Sequence, residues 1–243
     1  MRPILALLFS LQVPLGAQAQ QPPAVITPTE NLVVDGVPAI PAQLAADVRR
    51  YTEARSAGLA DWHPIRRELL ISTRFGNTAQ IHRVATPLGA RTQLTFFDEP
   101  ISGATYEPNR GSYFLFNRDI GGNEFGQIYR YDIATGAVTL LTDGRRSQNG
   151  GIRWSTRGDR VAYGSTSRNG SDRDIYVMDP LNPGAGRRLL EARGGGWSAG
   201  DWSPDDRQLL VSEYLSVNQS RYHLVDVASG RRSLLFPEER DTV

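Results

Sequence analysis

The amino-acid sequence predicts an all-β fold, and the prediction rests on three kinds of stretch that recur in a fixed order. An aromatic residue begins each repeat at positions 62, 106, 154 and 202, at intervals of 44, 48 and 48 residues. The apolar runs LLIS, YFLF, RVAY and LLVS follow, and then the strand-like stretches QIHRV, QIYRYD, DIYVMD and RYHLVD. A third set, ARTQLT, AVTLLT, RRLLEA and RRSLLF, closes each repeat.

Each repeat therefore contains four short strands separated by turns. Repeats of about 40 to 50 residues with four short strands each are typical of the blades of a β-propeller. A single blade cannot bury both of its faces, so neighbouring blades must stack on one another. We predict about four blades of four antiparallel strands, over approximately residues 59–103, 104–150, 151–198 and 199–243.

A targeting segment precedes the repeats, and we predict that residues 1–19 are a signal peptide. Arg2 provides the positive charge expected at the start of a signal peptide. The apolar run that follows, over residues 4–15, is too short to cross a bilayer. Ala17 and Ala19 then form a cleavage site of small residues. The segment predicts a periplasmic or secreted protein with no membrane span after cleavage. A retained anchor is the alternative interpretation.

Residues 20–58 have a different composition from both neighbours. Their first half is punctuated by prolines and predicts an extended segment. Their second half contains helix-forming residues with an apolar spacing at Leu44, Val48 and Tyr51. We therefore predict one short helix that begins just after Pro41 and ends by Gly58.

The composition excludes several classes of function. The chain has no Cys and its basic residues are all Arg, so thiol catalysis, Cys-based zinc sites, a P-loop lysine and a Schiff-base lysine are excluded. The 27 basic and 26 acidic residues nearly cancel, which provides no field to attract nucleic acid. We predict no cofactor and no metal site.

The stretch GWSAG around Ser198 matches G-x-S-x-G, the nucleophile elbow of serine hydrolases. That elbow needs an apolar strand before the serine and a helix after it, whereas Pro204 and two aspartates here predict a turn and then a strand. In the repeat, Ser198 takes the position of Gly150. We predict that Ser198 is a connector just before the first strand of a blade, and that the chain has no catalytic residue of its own.

The three histidines and a cluster of aspartates also fall on repeat positions. His82 and His223 take the place of tyrosines in the third strand of other blades, and His63 takes a turn position. Structural roles are therefore predicted for all three histidines. A calcium site is the alternative for Asp172, Asp174 and Asp179, but their spacing lacks the ligand pattern of an EF-hand, and we predict turn and strand-end roles.

Glu124 is the one candidate binding residue. It lies in a glycine-flanked loop, RDIGGNEFGQIY, which is longer than its counterpart in the first repeat. Glycines allow a loop tip to take unusual backbone angles and to present a carboxylate in a cavity. The alternative is an ordinary solvated glutamate.

Several stretches together resemble known propellers. They are LVVDGVPAIP, DWHP, LLISTRFGNTAQIHRV, QLTFFDEP, RDIGGNEFGQIYRYDIATGAVTLLTDG and GGGWSAGDWSPD, within residues 31–236. The blades resemble those of TolB-type proteins and, more closely, the N-terminal propellers of prolyl oligopeptidase-family serine peptidases, with a dipeptidyl or acylaminoacyl peptidase character.

The resemblance to the peptidases implies a ring of seven or eight blades over a C-terminal α/β-hydrolase domain that carries the catalytic triad. On this expectation the chain is the N-terminal, non-catalytic part of a longer enzyme, and its propeller admits short peptides to the active site. Glu124 would then bind the ammonium group of a peptide substrate. The second function class is a stand-alone TolB-like periplasmic propeller that binds a protein partner.

Overall fold

The computed structural model describes residues 24–237, and the predicted signal peptide over residues 1–19 lies outside them. The chain divides into two compact units between Ala54 and Arg55. In its described part, residues 24–54, the first unit contains one helix, α1 (Ala42–Thr52), which begins directly after Pro41 as predicted. The fixed φ of proline suits the position before a helix, and none of the residues of α1 is buried. Among residues 24–237, no helix is long and apolar enough to cross a membrane.

The second unit consists of four antiparallel sheets of four strands, each in simple sequence order, which confirms the predicted all-β propeller blades. Blade 1 contains β1 (Ala57–Trp62), β2 (Leu69–Thr73), β3 (Gln80–Val84) and β4 (Arg91–Gln93). Blade 2 contains β5 (Ser102–Tyr106), β6 (Tyr113–Arg118), β7 (Gln127–Asp132) and β8 (Val138–Leu140). Blade 3 contains β9 (Asn149–Trp154), β10 (Val161–Ser165), β11 (Asp174–Asp179) and β12 (Asn182–Leu190). Blade 4 contains β13 (Trp197–Trp202), β14 (Gln208–Ser216), β15 (Gln219–Asp226) and β16 (Arg232–Phe236).

Each sheet begins slightly before the start predicted for its blade. The first strands begin at Ala57, Ser102, Asn149 and Trp197, whereas the repeat placed the starts at residues 59, 104, 151 and 199. The difference arises because the first strands open on glycine-rich stretches, and glycine has a low strand propensity. The aromatic residue that ends each first strand was a stronger sequence signal for the strand than the glycine-rich residues at its start.

The core consists of the junctions between consecutive blades. We call the side of a blade that faces the preceding blade its leading face, and the opposite side its trailing face. At the first junction, Phe114 and Phe116 on the leading face of blade 2 pack against Leu70 and Ile81 on the trailing face of blade 1. The other two junctions repeat this arrangement. Leu115 and Ile128 of blade 2 meet Val161 and Tyr163 of blade 3, and Ala162 and Ile175 of blade 3 meet Leu209 and Val211 of blade 4.

A buried polar side chain at one repeat position holds the connector that leads from each of the first three blades to the next. Gln127, 3% exposed, begins β7, and its Nε2 donates to the carbonyl oxygens of Arg145 and Ser147 at 3.0 and 2.9 Å. Its Oε1 accepts the N–H of Gly144 at 3.1 Å. Gln80 binds the preceding connector in the same way, through the carbonyl oxygens of Phe97 and Glu99. The connectors therefore have little freedom relative to the third strands.

In blade 3 an aspartate with an arginine partner takes the place of the glutamine side chain found in blades 1 and 2. Asp174, 0% exposed, accepts the N–H of Ala192, while Arg168 donates both to Asp174 and to the carbonyl oxygen of Ala192. The pair presents a donor and an acceptor to the connector, as an amide does. The pKa of Arg168 is raised above its ordinary value, chiefly by its hydrogen bonds to Asp174.

Replacing Gln127 by leucine is expected to destabilise the protein by about 3 kcal/mol, because the carbonyl oxygens of two connector residues lose their buried donor. The matched control is Gln208→Leu, at an exposed position of β14, for which a change within about 0.5 kcal/mol is expected. Urea unfolding of the two variants and the parent measures the difference. Equal stability of the two variants would contradict the role given to Gln127.

Candidate functional site

The first strands of the four blades form the inner wall of the propeller. Contacts between β1 and β5, and between β9 and β13, bring the first strands of neighbouring blades together. Each first strand also pairs irregularly with the second strand of its own blade. In β1 the register with β2 shifts between Leu59 and Asp61, and in β9 the register with β10 shifts opposite Tyr163. Such bulges bend a strand and leave a residue of its backbone unpaired. The inner wall therefore exposes backbone polar groups that a ligand can bind.

Two glycines make the bulges possible in β5 and β9. Gly103 and Gly151 have φ angles of 63° and 69°, in the left-handed region that side chains other than glycine's rarely adopt. A Cβ at either position would meet no atom within 4 Å. The requirement for glycine is therefore conformational, and the space beside the backbone is open.

A cleft of about 490 Å³ lies between β5 and β9, within the size range of small-molecule and peptide sites. Its lining consists of strand backbone with a few polar side chains. They include Asn117, Asn149 and Arg153. Asn117 donates through Nδ2 to the carbonyl oxygen of Asn149 at 2.5 Å, which holds the end of β6 against the start of β9.

Arg153 is the charged residue in the lining of this cleft. Its side chain is exposed, and its Nη1 donates to the carbonyl oxygen of Ile152 at 3.0 Å. A guanidinium has five N–H donors, so Arg153 can also offer donors to a carbonyl or carboxylate in the cleft. The cleft thus combines one cation with amide and backbone groups, a set suited to peptide-like ligands.

A second, smaller cleft of about 210 Å³ lies between β9 and β13. Five glycines line it together with Trp197, Ser198 and Arg173. Arg173 is held in place because its Nη2 donates to Oε1 of Gln148 at 2.9 Å. The inner wall therefore has a polar, glycine-lined opening on both sides of β9.

The loop that contains Glu124 is anchored beside the larger cleft. Gly126, at the end of the loop, accepts the N–H of Asn149 at 2.8 Å, and Asn149 lines the cleft. Glu124 has a φ of 63°, and its N–H donates to Oδ2 of Asp119 at 2.9 Å. Its side chain is exposed and is not among the residues that line the cleft. Its role as a binding residue stays a prediction.

Glu99 fixes the other end of the same loop. Its carboxylate accepts the N–H of Gly121 and a hydrogen bond from Arg118, each at 2.9 Å. These contacts, the Gly121 N–H first, hold the pKa of Glu99 below its ordinary value. Arg118 also lies over the rings of Phe97 and Tyr129, so the start of the loop is held by packing as well as by charge.

Ser198 lies within β13, paired with Ser212, so the prediction that it precedes the first strand as a connector was wrong. The strand extends through the glycine-rich stretch that had indicated a connector. Ser198 Oγ lies 3.3 Å from Oγ of Ser212. His223 Nε2 bonds to Glu213, whose neighbour across the sheet is Trp197. Since side chains alternate along a strand, Ser198 and this histidine lie on opposite faces of the blade, and they do not form a nucleophile–base pair.

The other candidate polar residues occupy strand and turn positions. His82 lies in β3 and His223 in β15, while His63 Nδ1 accepts the N–H groups of Ile65 and Arg66 in the turn after β1. Burial lowers the pKa of both His63 and His82. Asp172 and Asp174 bind Arg168, and Asp179 accepts the N–H of Leu181 in a turn. Within residues 24–237, no acidic or histidine side chains cluster in a way that could hold a metal ion.

Sequence reasoning did not identify the cleft or the residues that line it. Asn117 and Arg153 come from different blades, and neither belongs to a recognisable motif. The glycines offered a usable signal, because Gly103 and Gly151 each stand three residues before the aromatic residue that ends the first strand. Aligning the repeats on the glycines as well as the aromatic residues would have indicated bulged inner strands.

Comparison with solved structures shows the fold. The chain is similar to TolB from Acinetobacter baumannii, with a TM-score of 0.55, 23% identity, and coverage of 75% of this chain and 44% of that one. It is also similar to a putative TolB from Agrobacterium tumefaciens, with a TM-score of 0.53, 20% identity, and coverage of 70% and 61%. A structure from a study of two prolyl endopeptidases matches with a TM-score of 0.57, 11% identity, and coverage of 75% and 29%.

These likenesses support propeller blades of a kind found in both groups of proteins, TolB and the peptidases. The chain spans about half the length of the two TolB chains and less than a third of the prolyl endopeptidase. No protein-family model matches the chain, and no curated protein matches it either.

The conformational role of Gly151 can be tested by Gly151→Ala, which is expected to cost about 1 kcal/mol in unfolding free energy because φ is positive there. The matched control is the neighbouring Gly150→Ala, whose Cβ would make an ordinary contact of 3.6 Å with Asn117. Thermal unfolding should separate the two variants. A cost at Gly150 equal to or larger than that at Gly151 would contradict the explanation.

Proposed function

We propose that the chain is the N-terminal propeller portion of an exported prolyl oligopeptidase-like serine peptidase. In this proposal the propeller admits short peptides to an α/β-hydrolase domain of the full-length protein and helps to orient them. The observation that supports it most is the polar cleft of about 490 Å³ on the inner wall. Unpaired strand backbone, an amide side chain and Arg153 suit the regularly spaced carbonyl and amide groups of an extended peptide.

The chemistry in this proposal comes from the hydrolase domain. Ser198 has no histidine on its face of the sheet among the described residues, so it lacks the general base that a serine nucleophile needs. The peptidase assignment also draws on the peptidase-like sequence stretches within residues 31–236 and on the likeness to the prolyl endopeptidase structure.

A second function is a stand-alone periplasmic propeller of the TolB kind that binds a protein partner. It is favoured by the likeness to two TolB structures, at 23% and 20% identity, compared with 11% for the prolyl endopeptidase. The same inner wall would then bind a segment of the partner. The two functions differ in whether a catalytic serine accompanies the blades.

The native polypeptide distinguishes the two functions. We expect that an antibody against the blades captures a species much heavier than 26.8 kDa, and that a fluorophosphonate probe labels this species. An unlabelled species of the mass of this chain or of its signal-cleaved form would overturn the peptidase proposal and favour the TolB-like function.

The role proposed for Glu124 has a separate test in the full-length enzyme. Glu124→Gln removes the charge and keeps the shape, so it should raise KM about 10-fold for peptides with a free amino terminus and leave amino-blocked peptides unchanged. Glu30→Gln, an exposed glutamate in the first unit, is the control and should change neither class. Equal effects on free and blocked peptides would exclude ammonium recognition by Glu124.

A further inference from the structure

Arg173 is the charged residue in the lining of the smaller cleft, between β9 and β13. Its side chain lies along Gly164 of β10, where an added Cβ would come within 3.0 Å of Arg173 Cδ and 3.1 Å of Cγ. Carbon atoms in a packed structure rarely approach this closely, so a larger residue at position 164 would displace the arginine. The glycine therefore provides the space in which the side chain of Arg173 lies.

Two hydrogen bonds fix Arg173 at its two ends. Its backbone N–H donates to the carbonyl oxygen of Gly194 at 3.0 Å, and its Nη2 donates to Oε1 of Gln148 at 2.9 Å. Gln148 is held in turn, because Thr166 Oγ1 accepts its backbone N–H at 2.9 Å. The guanidinium therefore has a defined position before a ligand binds, and a ligand that binds it loses little side-chain entropy.

The charge of Arg173 is not neutralised by the carboxylates next to it in the sequence. Asp172 and Asp174 adjoin it on either side, but both bind Arg168, at 2.9 and 2.7 Å. In the part of the chain that the structure describes, residues 24–237, Arg173 forms no ion pair. Gln148 uses one of the five N–H donors of the guanidinium, so the others can bind an acceptor that enters the cleft.

The form of the cleft indicates that it takes the end group of a ligand. Its volume of about 210 Å³ is below the range of sites that enclose a whole drug-sized molecule. Gly150 and Gly151 line both this cleft and the larger one between β5 and β9, so the two clefts adjoin at β9. A peptide that lies along the larger cleft can therefore place its last group beside Arg173.

A carboxylate is the end group that the lining suits. A guanidinium binds carboxylates through paired, charge-assisted hydrogen bonds, and backbone N–H groups also bind them. The N–H of Gly195, in the lining, has no hydrogen-bond partner among the described residues. The hydroxyl of Ser198, also in the lining, is exposed and can donate a further hydrogen bond. The cleft therefore combines one cation with neutral donors and offers no carboxylate of its own.

We propose that the cleft between β9 and β13 binds the carboxylate of a peptide, with Arg173 as the cation that recognises it. The proposal rests on the peptide binding proposed above for the inner wall, but it does not need the hydrolase domain. Either the C-terminus of the peptide or an acidic side chain can supply the carboxylate. The C-terminus is the expected source, because the cleft takes an end group.

The test measures the binding of two peptides to the native polypeptide that contains the blades. The peptides are dansyl-tetraalanine with a free C-terminal carboxylate and the same peptide as its carboxamide, and fluorescence anisotropy follows their binding. Prior treatment with a fluorophosphonate blocks any catalytic serine, so the peptides stay intact. We expect the acid to bind about 10-fold more tightly than the amide at low salt, and the difference to shrink at high salt because ions screen the attraction. Equal affinity for the two peptides, or no binding of the acid at millimolar concentrations, would overturn the proposal.

Substitution of Arg173 tests which residue recognises the carboxylate. Arg173→Gln should weaken binding of the acid about 10-fold and leave binding of the amide unchanged. The matched control is Arg207→Gln, whose side chain is 84% exposed in the turn between β13 and β14, and it should keep the preference for the acid. A preference that persists in Arg173→Gln, or that is lost equally in the control, would contradict the role of Arg173.

Arg173→Lys decides the question if Arg173→Gln does not fold. It keeps the charge but lacks the planar pair of donors and the same reach to Gln148, so an intermediate preference for the acid is expected. A preference as strong as that of the parent would contradict recognition by the guanidinium of Arg173.

Two further amidated peptides, dansyl-trialanine ending in aspartate or in asparagine, distinguish the sources of the carboxylate. Equally weak binding of both supports the C-terminus as the source, whereas tight binding of the aspartate peptide alone supports an acidic side chain. The test applies to whichever native species carries the blades, so the two proposals fail separately. A heavy, fluorophosphonate-labelled species with no preference for the acid would overturn only the carboxylate site. An unlabelled species of the mass of this chain that prefers the acid would overturn only the peptidase function.

Discussion

The stacking of one blade's leading face on the trailing face of the blade before it is the interaction on which the rest of the structure depends. A four-stranded sheet of this length has two apolar faces and cannot remove both from water by itself. Phe114 and Phe116 meet Leu70 and Ile81 at the first junction, and equivalent residues meet at the next two. Because the same positions meet each time, the first strands are brought side by side, and the clefts of the inner wall form between them.

The buried polar residue at the start of the third strand fixes the path of the connector between blades, which the stacking of the blade faces does not determine. Apolar packing is not directional, so it does not determine the path of the connector between blades. Gln80, Gln127 and the Asp174–Arg168 pair each offer donors and acceptors at defined points of the connector backbone. The loop of Glu124 ends immediately before Gln127, so the position of the candidate binding loop is set by the same side chain that holds the connector.

The sequence was sufficient to predict the blades because their determinants are local and repeated. Aromatic residues at positions 62, 106, 154 and 202 recur at nearly constant intervals, each followed by an apolar run and a strand-like stretch, and all four predicted blades are present as sheets. The helix after Pro41 was predicted for the same reason, since a proline before helix-forming residues is a local start signal.

Features that depend on two blades at once were missed. The cleft lies between β5 and β9, strands 47 residues apart from start to start, and its lining combines Asn117 of one blade with Arg153 of the next. Ser198 was misplaced because a glycine-rich stretch is the normal composition of a connector, whereas here it is a bulged strand. The bulges of β5 and β9 use glycine at positive φ, at Gly103 and Gly151, so glycines of the kind that suggested a loop shape the inner wall at these two strands.

Exposure to water determines how strongly the inner wall and its loops can bind a charged ligand. Glu124 and Arg153 both have exposed side chains, so each interacts with a ligand in a high dielectric, where attraction between charges is weak. A ligand that excludes water from the cleft as it binds would lower the effective dielectric around Arg153 and strengthen that attraction. Recognition in the cleft therefore depends on how completely the ligand fills it, and shape and charge act together.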